Sequence, residues 1–191
     1  MPISFDAATR TFKLDTATST YMIRVYDEGY LLNLYYGAKI PDSYVPDREQ
    51  LTPNASFSAA NPVIGEHGFT PDTAPMEYGA FGAGDMRISA LMVRNEQGDS
   101  VTDIRYAGHK IYAGKPPIPG QPSTYVEQED DAATLELTTV DQVTGLKVTL
   151  YYTVFTKLGV MTRRVRAENG GVQQLELERI FSMCLNLPSM D

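Results

Sequence analysis

Ala133-Thr134-Leu135-Glu136-Leu137-Thr138-Thr139-Val140, then Asp141-Gln142-Val143-Thr144-Gly145, then Leu146-Lys147-Val148-Thr149-Leu150-Tyr151-Tyr152-Thr153-Val154-Phe155, is the stretch that decides the fold. Apolar and polar residues alternate with a period of two, where an amphipathic helix would need 3.6, so both runs predict half-buried strands around a turn. The same pattern extends outward. Met161 to Glu168 reads as the next strand, and Asn169-Gly170-Gly171 before Val172 to Leu187 predicts a hairpin, because Asn-Gly suits the tight turns that join paired strands. Toward the N-terminus, Arg10 to Asp15, Thr20 to Tyr26 and Tyr30 to Tyr36 alternate. In the second of these, Tyr21, Ile23 and Val25 oppose Met22, Arg24 and Tyr26. Asp27-Glu28-Gly29 supplies a hairpin turn before the third. Ile88 to Arg94, Ser100 to Tyr106, His109 to Tyr112 and Thr124 to Glu127 complete a set of ten or more strands without internal repeat. Many strands at short intervals predict an all-β fold, a sandwich or barrel of antiparallel sheets, and their number favours a large antiparallel β-sandwich with little helix.

Composition agrees. The chain has 191 residues, long enough for one domain with a substantial core, and 12 Tyr and 7 Phe add to its β-forming side chains. Hydrophobic residues make up 42% and charged residues 21%, a globular balance and not a disordered one. The net charge of −8 repels phosphate backbones and argues against nucleic-acid partners. A single cysteine, Cys184, forms no internal disulfide. Neither a signal peptide nor an apolar run near ~18 residues is visible, so a cytoplasmic protein without membrane contact is expected.

The alternation lapses between Pro41 and Met76, where six prolines exclude a stable helix. A connection of this length is a candidate for function. Elsewhere catalytic signatures are missing. Gly79-Ala80-Phe81-Gly82-Ala83-Gly84 lacks the following helix and Lys-Ser/Thr pair of a phosphate loop and reads as a tight connection. His67, His109 and Cys184 lie in unrelated segments, so no metal site is expected. The run Glu127, Glu129, Asp130, Asp131 lacks the spacing of a calcium loop and reads as solvated. Arg163, Arg164 and Arg166 form the densest basic cluster, and Arg164 with Arg166 share one strand face. They are read as a solvent-facing or interface row, with an anion site as the alternative. Asn54-Ala55-Ser56 matches a glycosylation acceptor by chance. No carboxylate pair for glycoside hydrolysis can be selected among 24 acidic residues by spacing in a β protein.

Several segments, in order, are similar to the N-terminal region of bacterial glycoside hydrolase family 36 α-galactosidases. Tyr30-Leu31-Leu32-Asn33-Leu34-Tyr35-Tyr36-Gly37-Ala38-Lys39 resembles the family's L-x-H-x-Y-W-G-K strand, with Asn33 for the usual histidine and Tyr36 for the usual tryptophan. Glu77-Tyr78-Gly79-Ala80-Phe81-Gly82-Ala83-Gly84-Asp85-Met86-Arg87-Ile88-Ser89-Ala90 resembles E-Y-P-x-Y-G-x-x-D-F-R-x-P-A. Asp103-Ile104-Arg105-Tyr106, His109 to Pro116 and Pro122 to Val126 resemble D-L-R-Y, H-x-I-x-x-G-K-P and L-P-A-T-Y-V. Thr134 to Glu136, Gly145 to Thr153 and Ser182 to Pro188 complete the series.

The resemblance implies a β-supersandwich over residues 1–191 that precedes a catalytic (β/α)8 barrel absent from this sequence. In the family, aspartates on the barrel carry out a retaining reaction through a covalent galactosyl-enzyme. The chain is therefore expected to be inactive alone, without catalytic residues, cofactor or metal. The resemblance further implies a homo-oligomer, a tetramer in the longer parent, in which the loop at 41–76 reaches the galactoside pocket of a neighbouring subunit. Asn54 stands where relatives carry an aspartate toward that sugar, so it is the candidate substrate-binding residue, in trans. A neutral amide there makes a weaker contact to a hydroxyl than a carboxylate. Asp85 and Arg87 match the family either as a structural pair joining loop to sheet or as a sugar contact. The alternative overall reading is an autonomous carbohydrate-binding module for galactose-containing oligosaccharides, using tyrosines as stacking platforms.

Overall fold

The computed structural model describes residues 1–43 and 69–185. Ten strands run in chain order: β1 (Ile3–Asp6), β2 (Thr11–Asp15), β3 (Ser19–Val25), β4 (Leu31–Ala38), β5 (Leu91–Asn95), β6 (Ile104–Ala113), β7 (Ala133–Asp141), β8 (Leu146–Phe155), β9 (Val160–Asn169) and β10 (Leu175–Ile180). They form two four-stranded antiparallel meanders, β1-β2-β3-β4 and β6-β7-β8-β9, and a two-stranded sheet of β5 with β10. The only helical turns among the described residues are single 3-10 turns at Asp27–Gly29 and Glu129–Asp131. None is long and apolar enough to cross a membrane.

The two meanders face each other as a sandwich. Leu14, Tyr21, Ile23 and Val25 from the first pack against Leu135, Leu137, Leu150 and Val154 from the second, in one buried cluster that also holds Leu91 and Val93 of β5. The first sheet is covered on its other face too. Met22, Leu32 and Leu34 meet Phe69, Ala74 and Met76 of the β4–β5 connection there. The opposed faces of Tyr21/Ile23/Val25 and Met22 expected from alternation are thus both buried. A bulge between β3 and β4 places Leu34 and Tyr35 together on the second cluster, while Asn33, opposite Ile23, faces the sandwich interior.

Some expectations fail for identifiable reasons. Ser100 to Tyr106 and His109 to Tyr112 are not separate strands: β6 is continuous, with a bulge between Tyr106 and Gly108 that interrupts the period. Thr124 to Glu127 joins no ladder, and Tyr125 is exposed. Ile88 precedes its strand and is exposed. β1 escapes the sequence reading because it is four residues long. The Asn169-Gly170-Gly171 hairpin is a clear correction, since β10 pairs with β5 and not with β9. Here the glycines serve backbone proximity. Gly170 N donates to Gly145 O at 3.2 Å, and a Cβ on Gly171 would run into the Thr144 carbonyl. The chain crosses over the β7–β8 turn and leaves the sheet.

Replacing Gly171 with Ala forces that carbonyl aside, and the expected loss is about 1–3 kcal/mol by urea denaturation. His109 lies 4.6 Å and 4.8 Å, ring centre to ring centre, from Phe5 and Phe12, and burial holds its imidazole pKa below the ordinary value. The unfolded chain therefore takes up this proton first. The stability involved is complete above about pH 6.5 and is lost as pH falls below it. A His109→Gln variant should flatten the stability profile between about pH 6.5 and 5.

Candidate functional site

The connection between β4 and β5 reaches its focal point at Glu77. It first follows β4: Asn33 N donates to Pro75 O at 2.7 Å and Glu77 N to Leu31 O at 2.8 Å. Glu77 then turns fully buried between the sheets. Its Oε1 accepts the Tyr152 hydroxyl at 2.7 Å and pairs with Arg163 Nη1 at 2.9 Å; its Oε2 accepts the Tyr21 hydroxyl at 2.7 Å and Asn33 Nδ2 at 3.2 Å. Arg163, whose side chain is only 7% exposed, also donates to Glu77 O and lies 4.9 Å from the Tyr152 ring centre. Next to this group the Tyr78 hydroxyl donates to Phe181 O at 2.7 Å, tying in the segment after β10.

Burial disfavours the Arg163 charge, but Tyr152 and Glu77 outweigh it and raise its pKa above the ordinary value. The Tyr21 and Tyr152 hydroxyls are pushed far above the usual phenol range, by burial first and Glu77's negative charge second. Both Glu77 oxygens are occupied by protein donors and none of the residue reaches solvent. The group is a structural junction of both meanders and the β4–β5 connection.

Asp85 and Arg87 form a second junction. Arg87 Nε meets Asp85 Oδ1 at 2.8 Å, and Arg87 Nη2 donates to the carbonyls of Pro71 at 2.7 Å and Ala74 at 2.8 Å. Gly79 has to be small because a Cβ would stand 2.9 Å from Asp85 Oδ2. These distances favour the structural pair over the sugar contact. The other end of the same connection is held by Lys13, whose Nζ donates to Ile40 O at 2.8 Å. Phe69 is clasped by Tyr26 and Tyr30 at 5.1 Å and 4.6 Å. Asn54, His67 and most of the 41–76 stretch lie outside the described residues.

The arginine row needs correction. Arg164 and Arg166 face outward, but Arg163 points into the sandwich, because successive residues of β9 project to opposite faces. Arg105 of the Asp103-Ile104-Arg105-Tyr106 motif is structural as well. It is held by Asp103 at 2.6 Å, donates to the Tyr30 hydroxyl at 2.6 Å and to Glu28 O at 3.0 Å, and locks the β3–β4 turn to β6. Within the acidic run, Asp131 pairs with Lys157 at 3.0 Å. The tyrosines expected as stacking platforms are largely consumed by the interior: Tyr21, Tyr30, Tyr78, Tyr151 and Tyr152 are buried. Sequence reading named Glu77 only as part of a motif. A glutamate inside an otherwise apolar and glycine-rich segment was the available signal.

Residues 29–191 match the family described as the glycosyl hydrolase family 36 N-terminal domain. Alpha-galactosidase AgaA of Geobacillus stearothermophilus is 38% identical over 191 residues, 100% of this chain and 26% of that protein. The crystal structure of the GH36 alpha-galactosidase AgaB from the same organism superposes with a TM-score of 0.88 at 39% identity, covering 96% of this chain and 24% of that one. A variant of AgaA solved in complex with raffinose superposes with a TM-score of 0.86 at 39% identity, covering 95% and 25%. The chain thus spans about a quarter of the length of these relatives.

Removing one partner of the buried pair strands the other's charge. Glu77→Ala or Arg163→Ala should each cost about 3–5 kcal/mol by chemical denaturation, whereas the double variant Glu77→Leu/Arg163→Leu should lose less than the two single losses combined.

Proposed function

The chain belongs to the glycosyl hydrolase family 36 N-terminal domain family, and on that premise we propose that it is the non-catalytic front domain of an α-galactosidase, contributing to oligomer assembly and to the rim of a neighbouring subunit's active site. The observation that carries this reading is the extent of the match: all of this chain corresponds to only 26% of a full α-galactosidase. The closed geometry at Glu77 supports it, because the most deeply buried carboxylate is fully engaged in holding sheets together. The anchored bases of the 41–76 connection, at Lys13 on one side and Arg87 on the other, support the rim role for the loop that carries Asn54. The parent enzyme is read as a tetramer that hydrolyses terminal α-galactosides by a retaining mechanism, with its reactive groups on a barrel outside these residues and with neither cofactor nor metal needed by this domain. A cytoplasmic location is consistent with the free thiol of Cys184.

The carbohydrate-binding module is the weaker reading, since its tyrosines are spent in the core and Tyr36 and Tyr125 alone are strongly exposed among the described ones. An assay of this chain on an aryl α-galactoside should show no turnover; saturable hydrolysis would overturn the non-catalytic reading. Titration with melibiose or raffinose should likewise show no saturable binding. In the longer enzyme, Asn54→Ala should raise KM for galactosides while leaving the oligomer intact. Unchanged kinetics with an intact tetramer would leave the domain a scaffold only.

A further inference from the structure

On the outer face of the β6–β9 sheet, away from Glu77, the connection between β6 and β7 folds back over the strands. Thr134 Oγ1 donates to Gly114 O at 2.7 Å, and Lys115 Nζ donates to Thr124 O at 2.7 Å. Beneath this connection lie two adjoining hollows that share Ser123, Thr124 and Thr162. The larger, ≈ 570 Å³, is walled by Tyr125, Phe155, Leu158 and Val160. The smaller, ≈ 180 Å³, is bordered by Lys115, Arg164, Tyr151, Thr153 and also Arg163, whose guanidinium is committed to Glu77. Together they make an open, shallow cleft, with exposed apolar side chains at one end and cationic ones at the other.

At the cationic end Arg164 is held in place by an aromatic ring. The Arg164 guanidinium lies over the Tyr151 ring, its Cζ 3.7 Å from the centre, which fixes its plane and leaves its N–H edge available. Neither Lys115 nor Arg164 forms an ion pair with a carboxylate among the described residues. Glu136 stands on the same face opposite Tyr151, beside the ring that carries the Arg164 guanidinium, and its Oε1 accepts the Tyr112 hydroxyl at 2.7 Å. Burial lowers the Lys115 ammonium pKa, and the like charge of Arg164 lowers it further. Two cations around one hollow on a molecule of net charge −8 is an arrangement that an anion relieves.

We propose that this cleft binds an organic anion, with a carboxylate or phosphate head on Arg164 and Lys115 and an apolar body against Tyr125, Phe155, Leu158 and Val160. Arg164 supplies the planar fork suited to two oxygens, and Lys115 a point charge beside it. Thr162, which borders both hollows, lies between head and body.

Calorimetric or NMR titration of the full chain with phenyl phosphate, phenylacetate, inorganic phosphate and benzyl alcohol tests this. Phenyl phosphate and phenylacetate should both saturate, and the stronger of the two identifies the preferred head group. Inorganic phosphate should bind about tenfold more weakly, and benzyl alcohol should not saturate. Lys115→Met and Arg164→Gln should each weaken the organic anions about tenfold. Leu158 is 73% exposed, so Leu158→Ser leaves the fold intact and, adding no charge, should weaken the organic anions while sparing inorganic phosphate. Thermal unfolding of each variant identifies any that is misfolded, and Leu158→Ser then decides. Absence of saturation by both organic anions, equal binding of benzyl alcohol, or binding unaffected by Lys115→Met and Leu158→Ser overturns the proposal.

Discussion

The ion pair of Glu77 and Arg163 is the constraint around which the domain is arranged. A carboxylate with no solvent exposure is stable only when charge and hydrogen bonds replace its lost hydration. Tyr21 and Asn33 come from the first meander, Tyr152 and Arg163 from the second, and Glu77 itself from the connection that precedes β5. No single sheet can satisfy the group, so its satisfaction requires all three pieces in their native places. An apolar core tolerates small shifts between sheets, whereas these donors must meet the carboxylate within hydrogen-bond distance. The pair thus specifies how the sheets sit, whatever its net contribution to stability.

The same logic explains why so many motif residues are structural. Arg105 locks a turn to β6, Arg87 gathers two carbonyls of the β4–β5 connection, and Tyr78 holds the segment after β10. Each ties irregular backbone, which lacks ladder partners, to a strand or to other irregular backbone. Pro71 and Pro75 keep the described part of this connection out of a helix, and arginines with forked donors bond carbonyls that lack a ladder partner. In this chain these motif residues fasten loops to the sandwich.

Much of the domain was legible from alternation alone. β2, β3, β7, β8 and β9 fall where period-two runs place them, and β8 agrees to the residue, because one face of each strand packs in the shared core. Legibility failed where backbone proximity or long-range pairing governs. Asn169-Gly170-Gly171 has the composition of a hairpin, yet its glycines serve a crossing over Gly145. Arg163 has the composition of a surface row, yet strand parity turns it inward toward Glu77. Asn33 departs from the family's histidine, and only its place opposite Ile23 reveals it as a donor to Glu77.

The amino-acid sequence by itself determined the all-β class, most strand positions and the family, since these follow from local periodicity and ordered motifs. Tertiary structure alone decided the partner of β10, the interior role of Arg163 and the meeting of Lys115 with Arg164 at one cleft. Those outcomes depend on which backbones lie side by side. Period-two patterning states which face of a strand is buried, but not what stands across from it.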